Sequence, residues 1–296
     1  MGDRKPPKKD FIAPLLLVTS ALVWGLAWPV GRLLALDLPP VTVAVLRYLM
    51  VVPVFFLLLR LKEGRIAIPK NWIPVFLILG ILSVTLYQAF FLFGVRYTAA
   101  SDASLLIGTA PVVIALMASL FIGERLTGKK AVGIGFAFAG IALIALLSEN
   151  THVENRFLGD ALVMGSVLVH SAYTVLLRRF FVNERGSSLV AITWVSLFGL
   201  LALLPFFLLE SPWQYSWAPA AWAEILYLAL FSTVIGYLFF AEGVRRLGAA
   251  SSGIFINLVP VFGVLFSIIL LGEAVNGWYI LSFLLIVMGV RAASKK

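Results

Sequence analysis

Residues 94–124 and 243–273 read as two copies of one segment, and no other feature narrows the possible folds so far. At a constant offset of 149, Gly94-Val95-Arg96 lies over Gly243-Val244-Arg245, and with no gap Ala100 meets Ala249, Ile107 meets Ile256, Pro111 meets Pro260, Val112 meets Val261 and Leu116 meets Leu265. The run closes with Gly123-Glu124 over Gly272-Glu273, and Gly140 over Gly289 keeps the offset further on. Ten identities in 31 ungapped positions include Pro, Gly-Val-Arg and Gly-Glu at fixed spacing, which an apolar composition does not produce by chance. A duplication of this length makes the orientation of the two copies the main question about the chain.

The copies are expected to lie in lipid. With 61% hydrophobic residues, 12% charged and a mean hydropathy of +1.03, the chain would expose apolar surface to water however it folded. The net charge of +9 does not point to nucleic acid, because the basic residues sit in short runs between apolar segments and form no stripe interleaved with exposed aromatics. No cysteine is present, which excludes disulfides, thiolate metal sites and Cys nucleophiles, and His152 and His170 are too few for a histidine metal cluster. No cofactor is expected. The basic tail 1–10 lacks a signal-cleavage pattern, and Pro6 stands where myristoylation would want Ser or Thr. The first apolar segment is therefore expected to remain as a span.

A helix needs roughly 20 apolar residues to cross the hydrocarbon core. Ten such runs are legible: 11–34, 41–59, 72–95, 102–122, 130–147, 158–180, 188–209, 219–242, 249–271 and 275–292. They divide into a tail (1–10), a first five-helix repeat (11–149) and a second (150–296). Five is odd, so the second copy must enter the membrane from the opposite side. Charge tests this independently: with a cytoplasmic amino terminus, 19 of the 23 basic residues fall inside, leaving Arg32, Arg96 and Arg156 outside and Arg47 within span two. The sequence thus predicts an all-α integral membrane protein of ten transmembrane helices in two inverted repeats, with both termini cytoplasmic.

An inverted duplication relates two bundles by an axis in the membrane plane, and rocking between them opens a central site to each side in turn. Pro111 and Pro260 lie at equivalent points of spans four and nine, where proline bends the helix and frees carbonyls. They serve either packing alone or a paired hinge lining a cavity. Glu124 and Glu273 are read as solvated loop contacts. Small residues opening spans four and nine, Pro-Val in mid-helix and Gly-Glu at the end resemble the EamA branch of the drug/metabolite transporter superfamily, over nearly the whole chain. Within that branch the chain is similar to the YddG-type exporters of aromatic and other neutral amino acids. The resemblance implies a cavity surrounded by spans one to four and six to nine in a bacterial inner membrane, with spans five and ten peripheral. Span five suits that place, since Gly133, Ala137 and Gly140 offer small surfaces for close helix contact.

Arg47 lies roughly 10 Å deep in span two by the helical rise. It either snorkels to the interface or anchors a substrate carboxylate. His170, in the middle of span six, is either a hydrogen-bonded core histidine or a substrate or proton group. Trp24, Trp28, Tyr87, Gln88, Tyr173, Tyr237 and Asn257 occupy the interiors of cavity-type spans, and complete the substrate-binding set. No paired intramembrane acids are read, which disfavours both an intramembrane enzyme and a pump for cations. A lone arginine is thin support for phosphorylated substrates. The inventory points to alternating-access export of neutral amino acids, aromatic ones included, with cationic drug or dye efflux as the alternative.

Overall fold

The computed structural model describes residues 11–64, 67–123, 127–148, 155–181, 187–248, 252 and 255–294. The tail 1–10, Glu124, His152, Ala249 and the loop around Asn150 lie outside the described residues. The described chain is helical throughout, without strands. We number its helices α1 (Ile12–Asp37), α2 (Pro40–Glu63), α3 (Lys70–Tyr97), α4 in two pieces (Ala100–Ile107 and Ala110–Ile122), α5 (Gly128–Leu147), α6 (Arg156–Phe181), α7 (Ser188–Leu209), α8 (Pro219–Leu247), α9 (Leu258–Leu271) and α10 (Gly277–Ser294). Among the described residues, seven are long and apolar enough to cross a bilayer alone, the pieces of α4 make an eighth bent by 41°, and α9 and α10 are shorter apolar helices. The surface confirms the solvent: Leu61, Leu120, Leu146, Leu209 and Ile269 stand exposed where water would be a poor neighbour. The protein is a multi-pass membrane protein.

Helix ends follow local chemistry. Leu38 precedes Pro39 and is extended, which stops α1, while Pro40 at the first helical position opens α2. Gly123 and Gly272, the glycines of the repeated Gly-Glu pairs, end α4 and α9 in the left-handed region at φ 72° and 63°, where a side chain would be strained. α3 and α8 each contain a stretch of π-helix, Ile81–Leu86 and Tyr227–Ile235. Such stretches were not anticipated from the sequence, and they fall at equivalent places in the two halves.

Packing pairs the helices symmetrically. α1 packs on α8 and α9, as α6 packs on α3 and α4; α2 lies on α7, and α5 on α10. Exchanging the halves maps this pattern onto itself. The α5–α10 contact is close because a Cβ on Gly140 would meet Ser282 O at 3.0 Å and one on Gly289 would meet Gly133 O at 2.6 Å. The α3–α7 contact depends likewise on Gly80 and Gly199, which face each other.

Candidate functional site

The two pieces of α4 meet at Gly108-Thr109, three residues before the proline that sequence reasoning placed at the bend. Pro111 clashes with the carbonyl of residue 107 and has no N–H to give it, so the helix must yield upstream. The last turn tightens instead, with Gly108 N bonded to Leu105 O (3.0 Å) and Thr109 N to Leu106 O (3.1 Å), and the helix restarts with Pro111 in its first turn. Pro260 likewise lies in the first turn of α9, behind Asn257. Both prolines therefore open half-helices and neither sits mid-helix. The breaks also touch, since a Cβ on Gly108 would lie 3.0 Å from Pro260 Cγ.

Beside this crossing lies a cavity of about 280 Å³, walled by α1, α2, α3, α4, α6, α8 and α9. It brings together Trp24, Trp28, Arg47, Tyr87, Gln88, His170 and Tyr237, with Pro111 and Pro260 in its wall. Tyr173 is not in the wall but packs behind it on the His170 ring (6.2 Å between centroids). Asn257 does not line the cavity; it occupies the α9 break, at the repeat position of Gly108. An open groove of about 620 Å³ also lies between α5 and α10, lined by Val132, Phe136 and Met288 with Lys129 and Arg291 beside them.

Arg47 does not snorkel. It is 7% exposed, and its Nε and Nη2 donate to Thr233 Oγ1 at 3.0 and 2.8 Å while Nη1 donates to Gln88 Oε1 at 3.3 Å. Gln88 Nε2 in turn donates to Tyr48 Oη (3.4 Å), and the Thr233 hydroxyl donates to Leu228 O (2.8 Å) inside the π-stretch of α8. Among the described residues no carboxylate pairs with Arg47. Much of the remaining wall is aromatic: Trp24 lies 5.5 Å from Tyr237 and 5.2 Å from Phe240, Trp28 meets Phe91 edge-on at 4.9 Å, and Tyr87 lies 5.8 Å from His170. Trp24 reaches Ser232 O (2.9 Å) over Gly236, where any Cβ would sit 2.6 Å from the indole nitrogen. Sequence reasoning missed Tyr48, Ser83, Ser232 and Thr233. Tyr48 follows Arg47 on regular helix α2, whereas Ser83, Ser232 and Thr233 lie in the π-stretches, and small polar residues of this kind are too common in membrane helices to stand out in the sequence.

Two expectations about acids need correction. Glu273 is not solvated: it accepts from Ala100 N and Ser101 N (2.8 Å each) at the start of α4 and pairs with Arg32 at 3.6 Å. Glu210 does the same for α2, accepting from Val41 N (3.0 Å) and Thr42 N (2.7 Å). Arg32, placed outside by charge, is itself buried and donates to the Val95 (2.7 Å) and Thr98 carbonyls. Helix ends carry partial positive charge and unpaired N–H groups, so these carboxylates are drawn to them. Paired buried acids also exist. Asp102 and Asp160 each lie 3.8 Å from Arg156 Nε, Asp102 accepts from Tyr279 Oη and Ser148 Oγ, and Asp160 accepts from Thr98 Oγ1 (2.6 Å). This cluster ties α4, α6 and α10 together away from the cavity wall. It was invisible because Arg156 and Ser148 come from segments read as loop.

Comparison with known proteins accords with this architecture. The model of the EamA-like transporter family matches residues 11–146 and again 157–294. The chain is 30% identical over 272 residues to the uncharacterized transporter YetK of Bacillus subtilis, covering 90% of this chain and 82% of that one. It is 29% identical over 263 residues to a probable terminal-alkyne amino-acid exporter of Streptantibioticus cattleyicolor, covering 87% and 84%. A solved crystal structure with 22% identity shares the fold at a TM-score of 0.62, over 95% of this chain and 96% of that one. The chain belongs to the EamA-like transporter family.

Proposed function

We propose that this transporter exports small amphipathic metabolites, foremost aromatic and other neutral amino acids, by alternating access. The observation that carries the reading is a cavity of about 280 Å³ lined by one buried arginine together with several aromatic rings. That volume is at the small end for ligand sites, which suits one metabolite better than a nucleotide-sugar. Arg47 without a lining carboxylate weighs against cationic drugs. One relative carries the name of a probable amino-acid exporter, which fits the same class.

Alternating access requires two similar halves that can exchange roles. The seven long helices, the bent α4 and the shorter α9 and α10 are read as ten crossings in two inverted repeats, with both termini cytoplasmic. On that reading the ends of α7 and α9 are external. Glu210 and Glu273, gripping the starts of α2 and α4, then close the external side, and the touching breaks at Gly108 and Pro260 serve as the hinge.

Counterflow in liposomes tests the proposal. Vesicles loaded with unlabelled phenylalanine or methionine are expected to accumulate the labelled compound transiently, and protein-free vesicles are not. No accumulation of either, with a cationic dye accumulating instead, would replace the reading with drug efflux.

A further inference from the structure

The cavity carries charge of one sign. A guanidinium has five N–H groups in a fixed plane. Two bonds from Nε and Nη2 reach Thr233 Oγ1 and one from Nη1 reaches Gln88 Oε1, which leaves one N–H on each terminal nitrogen. Two N–H groups on the two terminal nitrogens are the fork that a carboxylate takes with both oxygens. The partners holding Arg47 are neutral and buried, Gln88 at 1% and Thr233 at 2% exposure, so its charge is placed but not neutralised. Tyr48 Oη, already an acceptor from Gln88 Nε2, keeps its own hydrogen for the same ligand.

Nothing comparable waits for an ammonium group. Among the described residues no Asp or Glu lines the cavity. Five of the described acids are engaged elsewhere: Glu210 and Glu273 on helix starts, Asp102 and Asp160 around Arg156, Glu242 on Arg245 and Arg246. What the walls offer an amine is hydroxyls, carbonyls and ring faces. A site with a dedicated buried partner rejects a ligand lacking the matching group, because the partner is left unpaired. A site without one has nothing to leave unpaired, and a ligand without the amine is spared the desolvation of its ammonium.

We infer that the cavity selects for a carboxylate and is indifferent to the α-amino group, so that its substrates are monocarboxylates with an apolar side chain, of which amino acids are one subset. The inference rests on this cavity being the transport site. It places Thr233 and Gln88 as positioning residues that hold the Arg47 fork open toward the ligand.

Three ligands of one shape separate the possibilities: phenylalanine, 3-phenylpropionate (no amine) and phenethylamine (no carboxylate). Binding to the purified full-length protein is read by tryptophan fluorescence and by thermal shift. The first two are expected to bind within about threefold of each other, and phenethylamine roughly tenfold or more weakly, since it leaves the fork unpaired and sets a second cation beside Arg47. In Arg47→Gln that preference for 3-phenylpropionate over phenethylamine is expected to vanish; should the variant not fold, the wild-type series stands alone. Phenylalanine binding while 3-phenylpropionate fails overturns the inference and leaves amino-acid export standing. Phenethylamine binding as well as the others overturns the carboxylate requirement. Binding by none of the three overturns the inference together with the proposed function.

Discussion

The Thr233 hydroxyl has one hydrogen, and it goes to Leu228 O, so both Arg47 nitrogens that reach Thr233 meet lone pairs. The Gln88 contact is longer, at 3.3 Å, and comes from a side chain that rotates more freely. Thr233→Val keeps the volume but leaves buried donors of a charged group unpaired, which costs more than the roughly 1–3 kcal/mol of a neutral one. Gln88→Leu is expected to cost less. Thermal unfolding of the two variants in one detergent checks the order, and a larger drop for Gln88→Leu would show that the amide is the main support. Arg47 itself was legible in the sequence, because a cation deep in an apolar run is conspicuous and expensive there. Whether it snorkels was not legible, since that depends on Thr233, which lies 186 residues away in the chain.

At the scale of elements, apolar runs give away the long helices because lipid leaves the backbone little choice but to bond to itself. The irregular parts are another matter. Pro111 and Pro260 announce breaks, yet the breaks fall upstream, at Gly108-Thr109 and at Asn257, where residues that tolerate a tightened turn precede the proline. The π-stretches of α3 and α8 have no sequence signature here, although they carry Ser83 and Ser232 to the cavity wall and Thr233 to Arg47. The Asp102–Arg156–Asp160 cluster was equally hidden, being assembled from three separate segments. The hinge reading turns on one missing hydrogen. Pro111→Ala restores an N–H that can bond the Ile107 carbonyl, which favours a straighter α4. Pro260→Ala does the same for Ile256 and also removes the ring that packs on Gly108. Each variant is expected to fold and insert but to lose most of its counterflow rate at unchanged abundance, a fall on the order of tenfold for about 1.4 kcal/mol of preference for one state. Wild-type rates in both would return the prolines to packing.

At the scale of the molecule, the packing pattern maps onto itself when the halves are exchanged, yet exchange alone does not say whether the copies are parallel or inverted. The odd number of crossings in each half does, if every helix from α3 to α7 spans. α2 ends near Lys62 and α7 near Gln214, at corresponding points of the two copies, with five helices between them. Parallel copies would put both positions on one side of the membrane; inverted copies put them on opposite sides. Charge speaks for inversion, since Lys62 sits in a basic segment and the segment around Gln214 has no Lys or Arg. The chain contains no cysteine, so Lys62→Cys and Gln214→Cys each introduce the sole thiol, both at exposed positions. An impermeant maleimide applied to intact cells is expected to label Gln214→Cys and to spare Lys62→Cys until the membrane is permeabilised. Labelling of both from outside, or of neither, would mean an even number of crossings between them. α4 would then be the first suspect, since a helix broken by 41° at Gly108 could turn back instead of passing through.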